Sequence, residues 1–279
     1  MPLSRSRGGG TSVPGDARQH YERLADTYDD NWAYSSGYVR WMAARIAEAL
    51  GLQPTDRMAD IGCGTGLFAR EVADIVVPQH PLQCVDPSAA MLKQIDGFAS
   101  LLPIQASAED LAERRVRLPY VPLDAAWMKE AVHHLVDPAG TLAGLATLLA
   151  PGGRLLIVML PASIEYPLFD AALRRYEELQ PDPADIAQHL TAAGLQTSLT
   201  YVEHRLTLDR ERYLAMVRAR YMSLLSLFSD EEIEAGITEI RARHPEPELS
   251  FPDRFAFILG RRDGVPPSPA GTAAPGSAQ

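Results

Sequence analysis

One segment constrains this chain more than any other. The short strand pattern Arg57–Ile61 runs directly into Gly62-Cys63-Gly64-Thr65-Gly66 and then into a helical face marked by Phe68, Val72 and Ile75. A backbone that turns from strand to helix while letting a ligand approach closely needs residues that lack a Cβ and accept positive φ, which is what glycine supplies. The N–H groups that open the following helix favour a negative group nearby. In the dinucleotide fingerprint G-x-G-x-x-G the third glycine falls one position later than Gly66 does here. The loop therefore signals a nucleotide-like cofactor without naming it.

A second strand, Leu82–Asp86, ends in a carboxylate 20 residues beyond Gly66. Dinucleotide sites place an acidic residue at about that distance to accept hydrogen bonds from ribose hydroxyls. A carboxylate there repels a phosphorylated ribose, so the ligand is expected to carry a free ribose diol. The competing reading is a turn aspartate at Asp86-Pro87-Ser88 that caps the next helix.

Strand and helix then alternate: a helix from Ser88 to about Ile95, a strand near 101–106, a strand from Leu123 to Met128, a helix from Pro138 to Leu149, and an apolar strand from Arg154 to Leu160 after Pro151-Gly152-Gly153. Alternation of this kind predicts a parallel sheet with helices on both faces. Pro103 breaks a central strand but is tolerated on an edge, and the third strand is expected at an edge. Further on, the pattern predicts a helix from Pro183 to Ala193, a strand from Gln196 to about Leu208, a long helical stretch from Arg210 to Arg243, and a final strand from Arg254 to Gly260. The expected fold class is α/β: a Rossmann-like doubly wound sheet of seven strands, mostly parallel with the last antiparallel. It carries an amino-terminal helical cap and a helical insertion (210–246) before the last strand, read as a lid.

Of the 279 residues, 1–15 are Arg-, Gly- and Ser-rich and 263–279 are almost entirely Pro, Ala, Gly and Ser. Such segments bury too little apolar surface to offset their ordering entropy, so both are expected to be disordered around a single domain at 16–262. The net charge of −10 opposes binding to nucleic acid. No apolar run spans a bilayer, and the first residues lack the apolar core of a signal peptide. With Cys63 and Cys84 as the two cysteines, a reduced cytoplasmic protein, monomer or homodimer, is expected.

Several stretches together resemble class I S-adenosylmethionine (SAM)-dependent methyltransferases, in particular the group that includes ubiquinone and menaquinone biosynthesis methyltransferases. They are Asp60–Gly66, Val85-Asp86-Pro87-Ser88 with Met91-Leu92, Ser107-Ala108-Glu109-Asp110-Leu111, Glu130-Ala131-Val132-His133-His134-Leu135 and Leu149-Ala150-Pro151-Gly152-Gly153-Arg154. The resemblance implies that Asp60, Gly62, Cys63, Gly64 and Gly66 hold the methionine portion of SAM. It places Asp86, with Pro87, at the ribose and Met91, Ala108 and Glu109 around the adenine. The family often has Asp where this chain has Ser107, and serine is the weaker acceptor for the adenine amino group. Tyr28-Asp29 has the character of the pair that closes over SAM in many relatives, and Tyr21 is a second candidate. The implied product is S-adenosylhomocysteine (SAH), and no metal is implied.

Methyl transfer from a sulfonium asks the protein to exclude water, align the nucleophile and, where needed, take a proton. His133 and His134 follow the fourth strand at the carboxyl edge where open α/β sheets bind ligands, and are candidate bases. Lys129, one of two lysines among 26 basic residues, ends that strand. It is a candidate for orienting or deprotonating the acceptor and for contacting SAM, against the alternative of a packed stem with a solvated ammonium. Tyr166, Arg218 and Tyr221 are candidate acceptor contacts, Arg218 against the alternative of a solvated helix face. The expected acceptor is a small molecule, a secondary metabolite or biosynthetic intermediate. Two alternatives stand beside this reading: a cyclase-like enzyme that binds SAM without methylating, and an NAD-dependent enzyme.

Overall fold

The computed structural model describes residues 36–264. Tyr21, Tyr28, Asp29 and the expected amino-terminal cap before Ser36 lie outside the described residues, as do 1–15 and 265–279.

Seven strands form one sheet in the order β3-β2-β1-β4-β5-β7-β6: β1 (Met58–Ile61), β2 (Leu82–Asp86), β3 (Leu101–Gln105), β4 (Leu123–Lys129), β5 (Leu149–Met159), β6 (Gln196–Asp209) and β7 (Glu248–Arg261). The pairs from β3 to β5 are parallel, and β7 runs antiparallel to both β5 and β6. This is the doubly wound sheet the alternation predicts, with the chain reversing direction from its middle to fill each side. Pro103 sits on β3, the edge strand, opposite Cys84. β1 and β2 are buried at every position, as parallel strands covered on both faces must be.

Side chains alternate between two apolar layers. Trp127, Leu156, Val158, Phe255 and Phe257 pack under α1 (Ser36–Leu50) and α2 (Leu67–Val76). Ala126, Met128, Leu155 and Ile157 face the opposite layer, with α4 (Ala108–Ala112), α5 (Pro138–Ala146) and α7 (Pro183–Ala192). The short α3 (Ala89–Leu92) runs into a 3-10 turn at Lys93–Ile95, so the expected helix over 88–95 is two shorter pieces. At the amino ends of the strands, Arg57 grips Asp124 through both guanidinium arms at 2.7 and 3.0 Å, and Arg154 pairs with Asp56.

Three differences from the sequence reading shape the site. Pro151-Gly152-Gly153 is not a turn before β5 but an irregularity inside it: Leu123 pairs with Leu149, yet Ala125 pairs with Arg154. Residues 170–179, given no element above, form α6 (Asp170–Leu179), an amphipathic helix that buries Ala172 and Tyr176. And β7 starts at Glu248, well before Arg254, because its first half pairs with β6 alone; the pairing with β5 reaches only Met159–Ala256.

That extra length of β6 and β7 projects past the carboxyl end of β5 and carries the insertion at its tip. The insertion is not one helix. It comprises α8 (Arg210–Arg218), a 3-10 turn at Ser223–Leu227 and α9 (Asp230–Arg243), whose start is fixed by a capping box between Ser229 and Glu232. Tyr213, Leu214, Val217, Ile233 and Ile237 join the same apolar layer as α1. At Gly236 a Cβ would stand 2.3 Å from Phe169, so α9 seats directly on that ring. The insertion is thus packed into the core.

Candidate functional site

The glycine loop is tied to β2 from both sides. Gly62 and Cys63 donate to the Val85 carbonyl at 2.7 and 3.0 Å, and Gly64 donates to Asp86 Oδ2 at 2.9 Å. The other oxygen, Oδ1, accepts from the Ser88 N–H at 2.8 Å. Asp86 therefore braces the loop, while the cap of α3 is Ser88, whose hydroxyl accepts from Met91. Each carboxylate oxygen has a second lone pair, so the brace does not exhaust its capacity for a ribose diol. Gly62, Gly64 and Gly66 all adopt positive φ, at 78°, 57° and 74°. A Cβ on Gly62 would lie 2.5 Å from that of Ala131, just past the end of β4. Gly66 opens α2 with no side-chain cap, leaving the first helical N–H groups turned to the loop.

Asp60, at the end of β1, is 3% exposed. Burial raises its pKa to about 7; Trp127 and the more distant Lys129 oppose the shift and Asp86 adds to it. Burial likewise raises Asp86, against its backbone hydrogen bonds. Two desolvated carboxylates side by side fit a ligand that carries positive charge. SAM, with its sulfonium and ammonium, matches this donor set.

The remaining cofactor candidates divide. Met91 is buried in α3, Pro87 is exposed, and Ala108 opens α4 as a buried residue. Ser107 caps α4, its hydroxyl accepting from the Asp110 N–H at 3.1 Å, so the position expected at the adenine amino group is engaged in holding its own helix. Glu109 accepts from Val136 N–H at 3.4 Å and ties α4 to the segment after the histidines. Cys63 is half-buried; its thiol is pushed well up by burial and by the neighbouring Cys84 thiol.

At the end of β4 the Lys129 ammonium sits 4.4 Å from the centre of the Phe68 ring and 5.3 Å from that of Phe255. Burial lowers its pKa against the pull of Glu130, Asp253 and Asp60. The ammonium thus lies over two rings, and the side chain is half-buried. Glu130 takes positive φ, 52°, and accepts from the Leu160 N–H at 2.7 Å, locking the turn after β4 to the end of β5. The His133 and His134 rings lie against each other, tilted by 57° with centres 4.1 Å apart. Burial, aided by Lys129, depresses His133 to about 4, and its Nδ1 is buried without a hydrogen-bond partner among the described residues. An imidazole so depressed is a weak base at neutral pH.

Arg218 lies apart from this centre. Its guanidinium forks onto Glu234 at 2.5 and 2.8 Å on the outer face of the insertion, half exposed, which is the solvated-face alternative. Tyr221 is 1% exposed, with its hydroxyl 3.3 Å from that of Tyr213. Tyr166, also buried, donates to Asp253, a residue of β7 that is 0% exposed. The sequence pattern starts this strand at Arg254 and so leaves Asp253 out, whereas β7 begins at Glu248. The available signal was a lone acid in the alternating apolar series Phe251, Asp253, Phe255, Phe257.

Residues 59–155 match the family model described as a methyltransferase domain. Among curated proteins, the chain is 31% identical over 147 residues to the malonyl-[acyl-carrier protein] O-methyltransferase of Alcanivorax borkumensis, covering 50% of this chain and 46% of that one. It thus spans about half the length of that relative. It is 24% identical to the 27-O-demethylrifamycin SV methyltransferase of Amycolatopsis mediterranei over 86% of this chain and 95% of that protein. Among solved structures, the [4+2]-cyclase SpnF superposes with a TM-score of 0.59 at 14% identity, covering 93% of this chain and 100% of that one. At that identity the likeness is one of fold.

Proposed function

From the premise that the chain belongs to the class I SAM-dependent methyltransferases, we propose that it transfers the methyl group of SAM to a small-molecule acceptor of secondary metabolism or a biosynthetic intermediate. The observation that carries the reading is the pair of buried carboxylates, Asp60 and Asp86, around a glycine loop at the head of α2. When bound, SAM supplies a methyl carbon already activated by a sulfonium. The chain's own residues do the rest. Gly62, Cys63, Gly64 and Gly66 let the backbone come close, Asp60 answers the positive methionine end, and Asp86 receives the ribose while holding the loop. Met91, Ala108 and Glu109 border the adenine. Lys129, its ammonium over the Phe68 and Phe255 rings, stands on the acceptor side and orients the acceptor.

The acceptor class rests on two supports. A relative that shares 95% of its length with this chain is named 27-O-demethylrifamycin SV methyltransferase. The negative charge of −10 disfavours a nucleic-acid acceptor. Among the described residues no helix is long and apolar enough to cross a membrane.

Titration with SAH, followed by incubation with SAM labelled in the methyl group and a panel of hydroxylated small molecules, tests the proposal. Bound SAH and label in product support it. Bound SAH with a substrate rearranged but unlabelled favours the cyclase-like alternative. Binding of NAD with no binding of SAH overturns the cofactor assignment.

A further inference from the structure

Beyond the carboxyl end of β5 lies a cavity of about 410 Å³, within the size range of sites for small organic ligands. Its walls come from residues 161–166, the head of α7 at Asp182 and Pro183, Tyr201 on β6, and Pro252 and Arg254 on β7. None of the residues assigned above to the cofactor borders it. The cavity also opens on the other side of the sheet from the glycine loop's helix, α2. Along β7, Phe255 faces the layer of α1 and α2, with the Lys129 ammonium over its ring. Side chains alternate along a strand, so Arg254 falls on the opposite side with Ala256 and Ile258.

Arg254 gives this cavity its chemistry. Its guanidinium carbon stands 4.3 Å from the centre of the Tyr201 ring, which holds the group in place. Among the described residues no hydrogen bond or ion pair engages it. Glu203, its partner across the β6–β7 ladder, shares its face of the sheet and still makes no ion pair with it. The guanidinium donors are therefore available to a ligand, and their planar fork matches a carboxylate through two parallel bonds. Two acids also border the space. Asp182 accepts from the Ala184 N–H as the cap of α7, and Glu165 is exposed. Two acceptors beside one cation disfavour a ligand that is only an anion. They suit one that brings a hydrogen-bond donor as well as a carboxylate.

We propose that this cavity is a second ligand site, separate from the cofactor loop, that takes a small aromatic carboxylic acid bearing a hydroxyl group. The carboxylate meets the Arg254 fork, the ring lies along the proline walls beside Tyr201, and the hydroxyl donates to Glu165 or Asp182. Pro161, Pro183 and Pro252 offer rigid apolar surface that loses no rotamer freedom when a flat ring covers it. Tyr201, 45% exposed, leaves ring surface for the same contact. The site stands whether or not the methyl-transfer reading does, because it uses none of the residues that reading assigns to SAM.

Calorimetric titration of the full chain tests the proposal with three probes: 6-hydroxy-2-naphthoate, 2-naphthol, which lacks the carboxylate, and the cationic 2-naphthylmethylamine. The wild type is expected to bind the naphthoate about tenfold more tightly than the naphthol, the preference a charge-assisted pair of hydrogen bonds confers. Saturating SAH should leave that affinity unchanged. Arg254→Met keeps a stem to pack on Tyr201 and removes the fork, so it should bring the naphthoate down to the level of the naphthol while binding SAH as before. Arg254→Lys, a charge without the fork, should retain only part of the preference. A wild type that does not favour the naphthoate, or that binds the amine more tightly, overturns the assignment. So does an Arg254→Met protein that keeps the full preference, or a naphthoate that SAH displaces. Absence of SAH binding in the wild type would instead bring down the methyl-transfer reading and leave this site to be judged on its own probes.

Discussion

The Gly64 N–H donates to Asp86 Oδ2 at 2.9 Å, so the carboxylate that ends β2 holds in place the glycine loop that ends β1. The acid expected at the ribose is thus also the clamp on the loop. Asp86→Ala strips the acceptor from both Gly64 and Ser88. It should cost about 1–3 kcal/mol of stability for each N–H left unpaired, and it should weaken SAH by at least about tenfold. Urea unfolding and calorimetry measure the two effects. A loss of SAH affinity with stability unchanged would show that the clamp contributes nothing and the ribose contact everything.

The pH dependence follows from the buried acids. Asp60 holds its proton up to about 7 and Asp253 up to about 6, whereas the unfolded chain releases both near 4. Between about pH 4 and 7 the native state therefore binds more protons than the unfolded state, and stability falls as pH rises through that window, by up to about 1.4 kcal/mol per pH unit for each extra proton. The melting temperature of the ligand-free protein should be higher at pH 5 than at pH 8. A cationic ligand reverses the preference, since it needs Asp60 ionised. SAM affinity should drop as pH falls below 7, and Asp60→Asn should bind weakly at every pH.

Gly62 and Gly152 share a φ of 78° but not their surroundings. A Cβ at Gly62 meets the Ala131 Cβ at 2.5 Å, while one at Gly152 meets nothing within 4 Å. Gly152→Ala should cost only the backbone strain, about 1 kcal/mol, and leave SAH affinity alone. Gly62→Ala adds overpacking of about 1–3 kcal/mol and pushes the loop from the end of β4. Denaturant midpoints and SAH titrations of the two variants side by side decide the matter; equal costs would refute the close-approach account.

Lys129→Met removes a desolvated ammonium and keeps a side chain that packs against Phe68 and Phe255. Stability should hold or rise, and SAH affinity should stay within about threefold, because an ammonium costly to bury is replaced by an apolar group of similar length. On the reading that Lys129 orients or deprotonates the acceptor, the variant should slow turnover and change its pH profile. Unchanged turnover with an unmoved pH profile would remove Lys129 from the acceptor side.

Much of the sheet could be read locally because its signals are local. The glycine loop and the apolar runs of β1, β2 and β4 each carry their cue within a few residues. α6 escaped because its sequence, with Arg174, Arg175, Glu177 and Glu178, is mostly polar and buries only a narrow stripe. The first half of β7 escaped because Pro252 and Asp253 read as a break; pairing with β6 overrides that signal. For Arg218, an acceptor contact and a solvated face are not separable locally, because Glu234, which occupies its fork, lies 16 residues away.

The glycine loop and Asp86 illustrate the division. Sequence alone determined that a strand ends in glycines, that an acid follows at the right distance, and that the pattern resembles SAM-dependent enzymes. These are properties of short stretches whose conformational demands are written in their own residues. Tertiary structure decided what each group does next. It gave Asp86 a second role at Gly64, set the Lys129 ammonium over two rings, and buried Asp253 against the Tyr166 hydroxyl. Burial and partnership depend on strands and helices distant in sequence, and it is burial that turns an ordinary carboxylate or lysine into a group with chemistry to perform.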